Sequence, residues 1–164
     1  MLHRVVELGD SKKAISTDDL PFIIAEVLES KDYNHVELLA CTINSSLDLE
    51  STASIRVRLQ GETFVSAGSG NGGFDAFTGA LSKILKQRGL SLPKLLDFEV
   101  RIPKGGRFDA LTECRISWAC EGGVVRTRGV HYNQVFAAIN ATLRVLNLQI
   151  QRSLQPSRSA NAVP

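Results

Sequence analysis

The sequence predicts an α+β domain in which one βββα unit occurs twice, giving a layered arrangement of sheets and helices. Two polar, glycine-containing segments, residues 68–77 and 129–138, each follow a two-strand pattern, and each opens an apolar helix. The strand before each segment also repeats, because residues 55–61 align with residues 116–122. Such internal repetition indicates a duplicated structural unit.

Composition indicates a single globular domain, since 164 residues are enough for one hydrophobic core. The chain is 43% hydrophobic and 22% charged, as is usual for a globular domain. Its net charge of +2 does not indicate a nucleic-acid-binding protein. It contains no apolar stretch long enough to cross a membrane, and its first residues lack a signal-peptide core. Three scattered cysteines form neither a disulfide framework nor a zinc motif, so we expect a reducing, cytoplasmic setting.

The first half is predicted to contain a helix, three strands and a second helix. Residues 1–15 are expected to link a preceding, absent domain to the folded part, residues 16–152. Residues 16–28 begin with capping residues and repeat apolar side chains at helical spacing. Residues 52–59 alternate with period two, so their arginines are expected to face water. The other predicted elements are strands over 35–47 and 63–67, a turn at 60–62, and a helix over 74–87. This helix is expected to end at Gly89 as its C-cap and to direct four apolar side chains toward the core, namely Phe77, Leu81, Ile84 and Leu85.

The second half repeats three strands and a helix. Trp118 falls in the long middle strand, where we expect it to pack in the core or at an interface. Cys114 and Cys120 share that strand and are expected to act as small apolar residues. Residues 153–164, at the end of the chain, are predicted to be a disordered tail. The predicted elements are strands over 98–102, 110–119 and 124–130, a loop over 104–109, a turn at 121–123, and a helix over 133–152.

Both helix starts are predicted to be suited to a small anion. A helix start has spare N–H groups and a partial positive charge, which favour a carboxylate. Two such starts in one small domain favour a binding module over a catalytic one.

Three segments give the chain a resemblance to a known family. They are Gly68-Ser-Gly-Asn-Gly-Gly-Phe-Asp-Ala-Phe, Gly105-Gly-Arg-Phe-Asp-Ala-Leu-Thr-Glu, and the Arg128-Gly-Val turn into the last helix. Together they resemble the C-terminal allosteric domain of α-isopropylmalate synthase and of citramalate synthase, over roughly residues 16–150.

The resemblance implies a homodimer of two βββα units that binds leucine or isoleucine and inhibits a separate catalytic barrel. That barrel condenses acetyl-CoA with a 2-oxo acid and uses a divalent metal. Its metal-binding His-x-His strand is absent here, so we expect no catalytic residue, metal or cofactor in this domain. The chain is either an excised domain or a free-standing homologue, and its opening residues favour the fragment.

The resemblance also implies effector-binding residues. Asn71, Gly72 and Gly73 would hold the effector's carboxylate, although Gly73 replaces a proline that is usual in the family, which makes this turn more flexible. Asp75 would bind the ammonium group, or else only cap the helix. The other implied residues, placed around the alkyl group or at the closure of the pocket, are Phe74, Leu95, Phe98, Ile102, Tyr132 and Gln134; the alternative for the apolar ones is simple core packing.

Several other readings stay open. The family branch is expected to be isopropylmalate synthase, with citramalate synthase and its isoleucine site as the alternative. A dimerisation scaffold without an effector is a second hypothesis, and a small enzyme using His131 or Asp109 is a third. We expect His131 to be a surface or capping residue, because it lacks a partner at motif spacing. The alternating arginines Arg56, Arg58, Arg126 and Arg128 predict a solvated sheet face.

Overall fold

A computed structural model describes residues 34–102 and 111–154 of the chain. The predicted linker 1–15, helix 16–28 and loop 104–109, with its Arg107 and Asp109, lie outside the described residues, as does the tail from residue 155 onward. The two described stretches contain both predicted repeats.

Each repeat is a three-stranded antiparallel sheet followed by a helix, which confirms the predicted α+β class and the two βββα units. The strands follow the order of the chain in both sheets, β1-β2-β3 and β4-β5-β6. The elements are β1 Val36–Asn44, β2 Ser51–Leu59, β3 Glu62–Gly70, α1 Gly73–Gln87, β4 Lys94–Arg101, β5 Thr112–Cys120, β6 Gly123–His131 and α2 Gln134–Leu154.

The two sheets match each other in register as well as in order. Cys41 pairs with Ile55 in the first sheet, and Phe98 pairs with Ile116 at the equivalent place in the second. Both edge strands carry a bulge at the same position, at Leu39 in β1 and Leu96 in β4. The repeat seen in the sequence is therefore a repeat of backbone geometry.

One glycine in each unit lets the helix lie directly on the sheet. A Cβ atom on Gly68 would lie 2.7 Å from the carbonyl oxygen of Ala76, and one on Gly129 would lie 1.9 Å from that of Ala137. The two contacts are related by the same shift of 61 residues that aligns the sequences. A side chain at either position would push the helix off its sheet.

The predicted core residues of α1 are confirmed, and several element boundaries differ. Strand β1 ends at Asn44 and not at residue 47, and β3 continues to Gly70 and not to residue 67. Phe77, Leu81, Ile84 and Leu85 of α1 are all fully buried, and Gly89 follows the helix with φ +67. Strand β4 begins four residues before the predicted Phe98, because the bulge at Leu96 breaks the alternation by which a strand is recognised. Helix α2 continues to Leu154, so the first two residues of the predicted tail are helical.

Helix α2 belongs to the cores of both units. Ile139, Leu146 and Ile150 pack into the core of the first unit, whereas Ala137, Ala138, Ala141 and Val145 pack into that of the second. The amide of Asn147 also bonds the main chain of Val36 at both its N–H (2.8 Å) and its carbonyl (3.1 Å). The second helix thus acts as a partner for the free edge of β1. Neither described helix is long and apolar enough to cross a membrane.

Candidate functional site

A cleft of about 380 Å³ opens between α1 and the second sheet. One wall is the first half of α1, and the other is formed by the connection before β4 and by the inner face of β4 and β5. Volumes of this size hold small molecules such as an amino acid. The lining residues in the described part of the chain are Phe74, Asp75, Thr78, Ser82, Leu92, Pro93, Leu95 and Trp118.

The cleft exists because the two repeats differ on one helix face. The 61-residue shift places Thr78 and Ser82 of α1 on Ile139 and Leu143 of α2. The two apolar residues of α2 pack into the core of the first unit. The smaller, polar residues of α1 do not reach the second sheet in the same way, and the space remains open. One repeat is therefore closed and the other is not.

Aromatic and aliphatic side chains form the outer part of the cleft. The rings of Phe74 on α1 and Phe98 on β4 lie 5.5 Å apart in a tilted contact, which bridges the two units. Leu95, two register positions along β4, lines the cleft directly. Both Leu95 and Phe98 remain partly exposed, so apolar surface is available to a ligand.

The start of α1 provides the polar part of the cleft. Its N-cap, Gly72, is extended and carries no side chain that could accept from the first-turn N–H groups, and the structure records no side-chain cap there. The carboxylate of Asp75 accepts a 2.9 Å hydrogen bond from the backbone N–H of Asn71. Asp75 therefore stabilises the turn that precedes the helix, while its side chain stays exposed at the cleft.

The start of α2 is occupied by its own side chains. Oδ1 of Asn133 accepts from the N–H groups of Val135 (2.8 Å) and Phe136 (3.3 Å), so Asn133 is the N-cap. The backbone N–H of Asn133 in turn donates to Nδ1 of His131, which gives His131 a capping role. The two helix starts, which look alike in the sequence, are thus chemically different.

The implied site residues fall into two groups in the structure. Phe74, Asp75 and Leu95 line the cleft, and Phe98 joins them through its ring contact. Ile102 is 65% exposed at the end of the first described stretch, and Tyr132 is 69% exposed at the start of α2. Gln134 also lies on that second helix start. None of these last three is among the described residues that line the cleft.

Gly73 is buried between the two units at the first turn of α1. A Cβ atom there would lie 2.8 Å from Cγ2 of Ile43 and 3.5 Å from Cγ2 of Val135. The glycine therefore has a packing role, because a side chain at this position would require Ile43 at the end of β1 to shift.

The sequence predicts three of the eight lining residues as site residues, namely Phe74, Asp75 and Leu95. It assigns no role to Thr78, Ser82, Leu92 and Pro93, and only a packing role to Trp118. A direct comparison of the two helices would have found the first pair, because a threonine and a serine in one repeat stand where the other has isoleucine and leucine. Such a loss of apolar side chains on a core-facing helix indicates a cavity.

The outer face of the second sheet differs from the prediction. Arg56, Arg58 and Arg126 are exposed, as expected, but Arg128 is only 6% exposed and forms an ion pair with the buried carboxylate of Glu113. Burial, with a smaller effect of Arg144, lowers the pKa of Arg128 to about 10, so it remains charged at neutral pH. The prediction of a fully solvated face was wrong at Arg128, because alternation shows which face a residue is on and not what covers that face.

A second groove, of about 400 Å³, is lined by residues of the first sheet and by Lys83 of α1. It is bordered by small polar side chains of the strands and by Lys83, whose Nζ donates to the carbonyl of Ala67. It offers neither an aromatic wall nor a carboxylate, so the cleft at α1 is the better candidate for an amino acid. Residues 34–102 and 111–154 contain no group of three potential metal ligands.

A family model described as the LeuA allosteric (dimerisation) domain matches residues 14–150. The chain belongs to this family. This membership agrees with the resemblance read from the glycine-rich turn and from the repeat.

Relatives of the LeuA domain match most of the chain. A 2-isopropylmalate synthase of Halalkalibacterium halodurans is 32% identical over 89% of the chain, and one of Aquifex aeolicus is 31% identical over 93%. A protein of Methanosarcina mazei named (R)-citramalate synthase is 30% identical over 90%. The matches cover 28%, 28% and 30% of these three proteins, so the chain spans less than a third of the length of each relative.

Proposed function

We propose that this LeuA domain is the regulatory domain of a 2-isopropylmalate synthase and that it binds the branched-chain end product in the cleft at α1. The observation that carries the proposal is the cleft itself. It joins an uncapped helix start and one carboxylate to an apolar wall, which are the groups an aliphatic amino acid needs.

Each part of the ligand has a partner of the right chemistry. The ammonium group pairs with Asp75, and the carboxylate accepts from the first-turn N–H groups of α1 at Gly73 and Phe74. The alkyl group packs against Leu95, Phe98 and the other apolar lining. Few polar anchors in an apolar pocket are typical of small-molecule sites.

Regulation follows if the ligand favours one arrangement of the domain over another. The family description supports a homodimer, and the synthase names of the relatives support a separate catalytic domain. A ligand that bridges α1 and the second sheet stabilises one relative position of the two units. That shift in population would then change how the attached catalytic domain moves, giving feedback inhibition.

Isoleucine is the second candidate ligand. The identity to the Methanosarcina mazei protein is close to that of the isopropylmalate synthases, which favours neither branch strongly. Leucine and isoleucine differ only in the position of one methyl group, so the shape of the apolar wall separates them.

The test is isothermal titration of the full chain with leucine, isoleucine and valine at equal protein concentration. We expect saturable binding of leucine. Asp75→Asn keeps an acceptor for the Asn71 N–H but removes the charge, and it should weaken binding by at least about tenfold. Thr78→Ile adds the side chain that closes the equivalent space in the other repeat, and it should abolish binding.

Thr63→Ile is the matched control. It makes the same replacement on an exposed strand position far along β3 from the cleft, and it should leave binding unchanged. Saturation with isoleucine in preference to leucine would assign the citramalate branch. If the folded wild-type protein binds none of the three ligands, the proposed function is wrong and the dimerisation scaffold without an effector is the remaining hypothesis.

A further inference from the structure

Trp118 forms the floor of the cleft, and its indole is held in one orientation. It is 2% exposed and stands on the inner face of β5, between Leu95 of β4 and Val125 of β6. Its Nε1 donates a 2.8 Å hydrogen bond to Oγ1 of Thr127, which is also buried. Because the N–H is the only polar group of the indole, this bond fixes the ring against a rigid strand.

Comparison of the repeats explains why a large ring stands at this place. The 61-residue shift aligns Trp118 with Val57 of the first unit. There, Ile139 of α2 helps to complete the core over a small valine. In the second unit, Thr78 is too small to fill the equivalent space between α1 and the sheet. The indole of Trp118 fills part of this space from the β5 side. The small side chains of α1 open the cleft, and the indole on the opposite wall limits how deep it is.

We propose that Trp118 determines which aliphatic amino acid this cleft accepts, and that Thr127 is a positioning residue that keeps the indole in place. The inference rests on the proposed function, since it requires an amino acid in the cleft. A fixed floor admits a short, branched side chain and excludes a longer, unbranched one. A ring free to tilt would lose this discrimination.

The experiment measures selectivity and not only affinity. Valine, leucine, isoleucine, norleucine and methionine are titrated calorimetrically into wild-type protein, Trp118→Phe, Thr127→Val and Thr127→Ser. Trp118→Phe should raise the affinity for norleucine and methionine relative to leucine by about fivefold or more, because the shorter ring deepens the cleft. Thr127→Val keeps the shape of threonine without its hydroxyl and should relax selectivity in the same direction. Thr127→Ser restores the hydroxyl and should keep the wild-type order.

A second readout requires no variant. Trp118 is the single tryptophan of the chain, so ligand bound against it should change its emission with the same half-saturation as the calorimetric signal. If the wild-type protein gives no heat with any ligand, the proposed function fails and this inference fails with it. If it gives heat but emission does not change and the variants keep the wild-type ligand order, this inference alone is overturned. Should Trp118→Phe not fold by circular dichroism, the emission and the Thr127 variants decide.

Discussion

Gly68 and Gly129 determine how closely each helix approaches its sheet. The carbonyl oxygen of Ala137 would lie only 1.9 Å from a Cβ atom on Gly129, and that of Ala76 would lie 2.7 Å from one on Gly68. Both neighbours are main-chain atoms of a helix, which do not move aside as a long side chain does. The two helices therefore tolerate no side chain at these positions.

Gly129→Ala should destabilise the fold by about 1–3 kcal/mol or more, and by more than Gly68→Ala, because its contact is the closer of the two. Urea unfolding followed by circular dichroism measures the effect. Gly79→Ala is the control, since the nearest atom to its Cβ is 3.8 Å away and the position is inside α1. It should stabilise by about 0.5–1 kcal/mol, and destabilisation there would contradict the steric argument.

The thiol of Cys114 is unreactive because it is buried in the core of the second unit. Burial, with a smaller effect of neighbouring Glu113, raises the pKa of its thiol from 9.0 to about 11. The folded state therefore favours the neutral thiol. Its contribution to stability is complete below pH 9, where both states are protonated, and is lost as the pH rises through about 11.

A thiol reagent at pH 8 should thus leave Cys114 unmodified in the folded protein, because the thiolate is the reactive form. Cys114→Ala should not change the number of thiols that react with Ellman's reagent under native conditions. The same variant should lose one reactive thiol in denaturant, which is the internal control. A lower native count in the variant would show that Cys114 is accessible and overturn this expectation.

Among the elements, α2 has the largest structural role, because it serves both units. Its Asn147 side chain bonds the N–H and the carbonyl of Val36, and its Gln151 bonds His35 at 2.7 Å. These bonds replace the missing neighbour strand along the first residues of β1. They are also the polar contacts that tie the start of the first sheet to the last helix.

Asn147→Ala should destabilise the protein by roughly 1–3 kcal/mol, since it leaves a buried main-chain N–H of Val36 without its acceptor. Asn140→Ala is the matched control on the same helix. Asn140 makes one bond, at 3.2 Å, to Val130 of its own unit, so its loss should cost less. Chemical denaturation of both variants gives the comparison, and equal losses would argue against a special role for the contact with β1.

Strands in which apolar and polar side chains alternate without a break were predictable from the sequence, whereas a strand that contains a β-bulge was not. The alternation of Ile55, Val57 and Leu59 gave β2 with its correct buried face. The start of β4 was misplaced because the bulge at Leu96 puts two apolar side chains in succession, which hides the period of two. The capping of α2 by Asn133 was predictable because a cap depends on a few neighbouring residues.

At the scale of the whole molecule, the two units share one helix and so should unfold together. Trp118 reports on the second unit, whereas far-ultraviolet circular dichroism reports on both. At fixed protein concentration, the two signals should give the same urea midpoint. Ile139→Ala, which removes a buried side chain from the first core, should lower both midpoints together, by about 2–5 kcal/mol in stability. Separate midpoints would mean that the units are independent.

The cleft is a property of the whole molecule, and this limited its prediction. Sequence resemblance implied Phe74, Asp75, Leu95 and Phe98, which the structure brings together. Thr78, Ser82 and Trp118 could not be added from local patterns, because each is ordinary within its own element. Their importance appears only when one repeat is laid over the other and the packing of α2 is compared with that of α1.

The shared helix also has a consequence for synthesis on the ribosome. The strands of the first sheet and α1 are made before α2, which carries Ile139 and Leu146 to complete their core. Roughly fifty residues separate the two helices, which at about 5–20 residues per second is a delay of a few seconds. During that interval the nascent chain presents an uncovered apolar sheet edge around Leu38 and Cys41. We therefore expect chaperones to bind the first half of the domain until α2 leaves the exit tunnel.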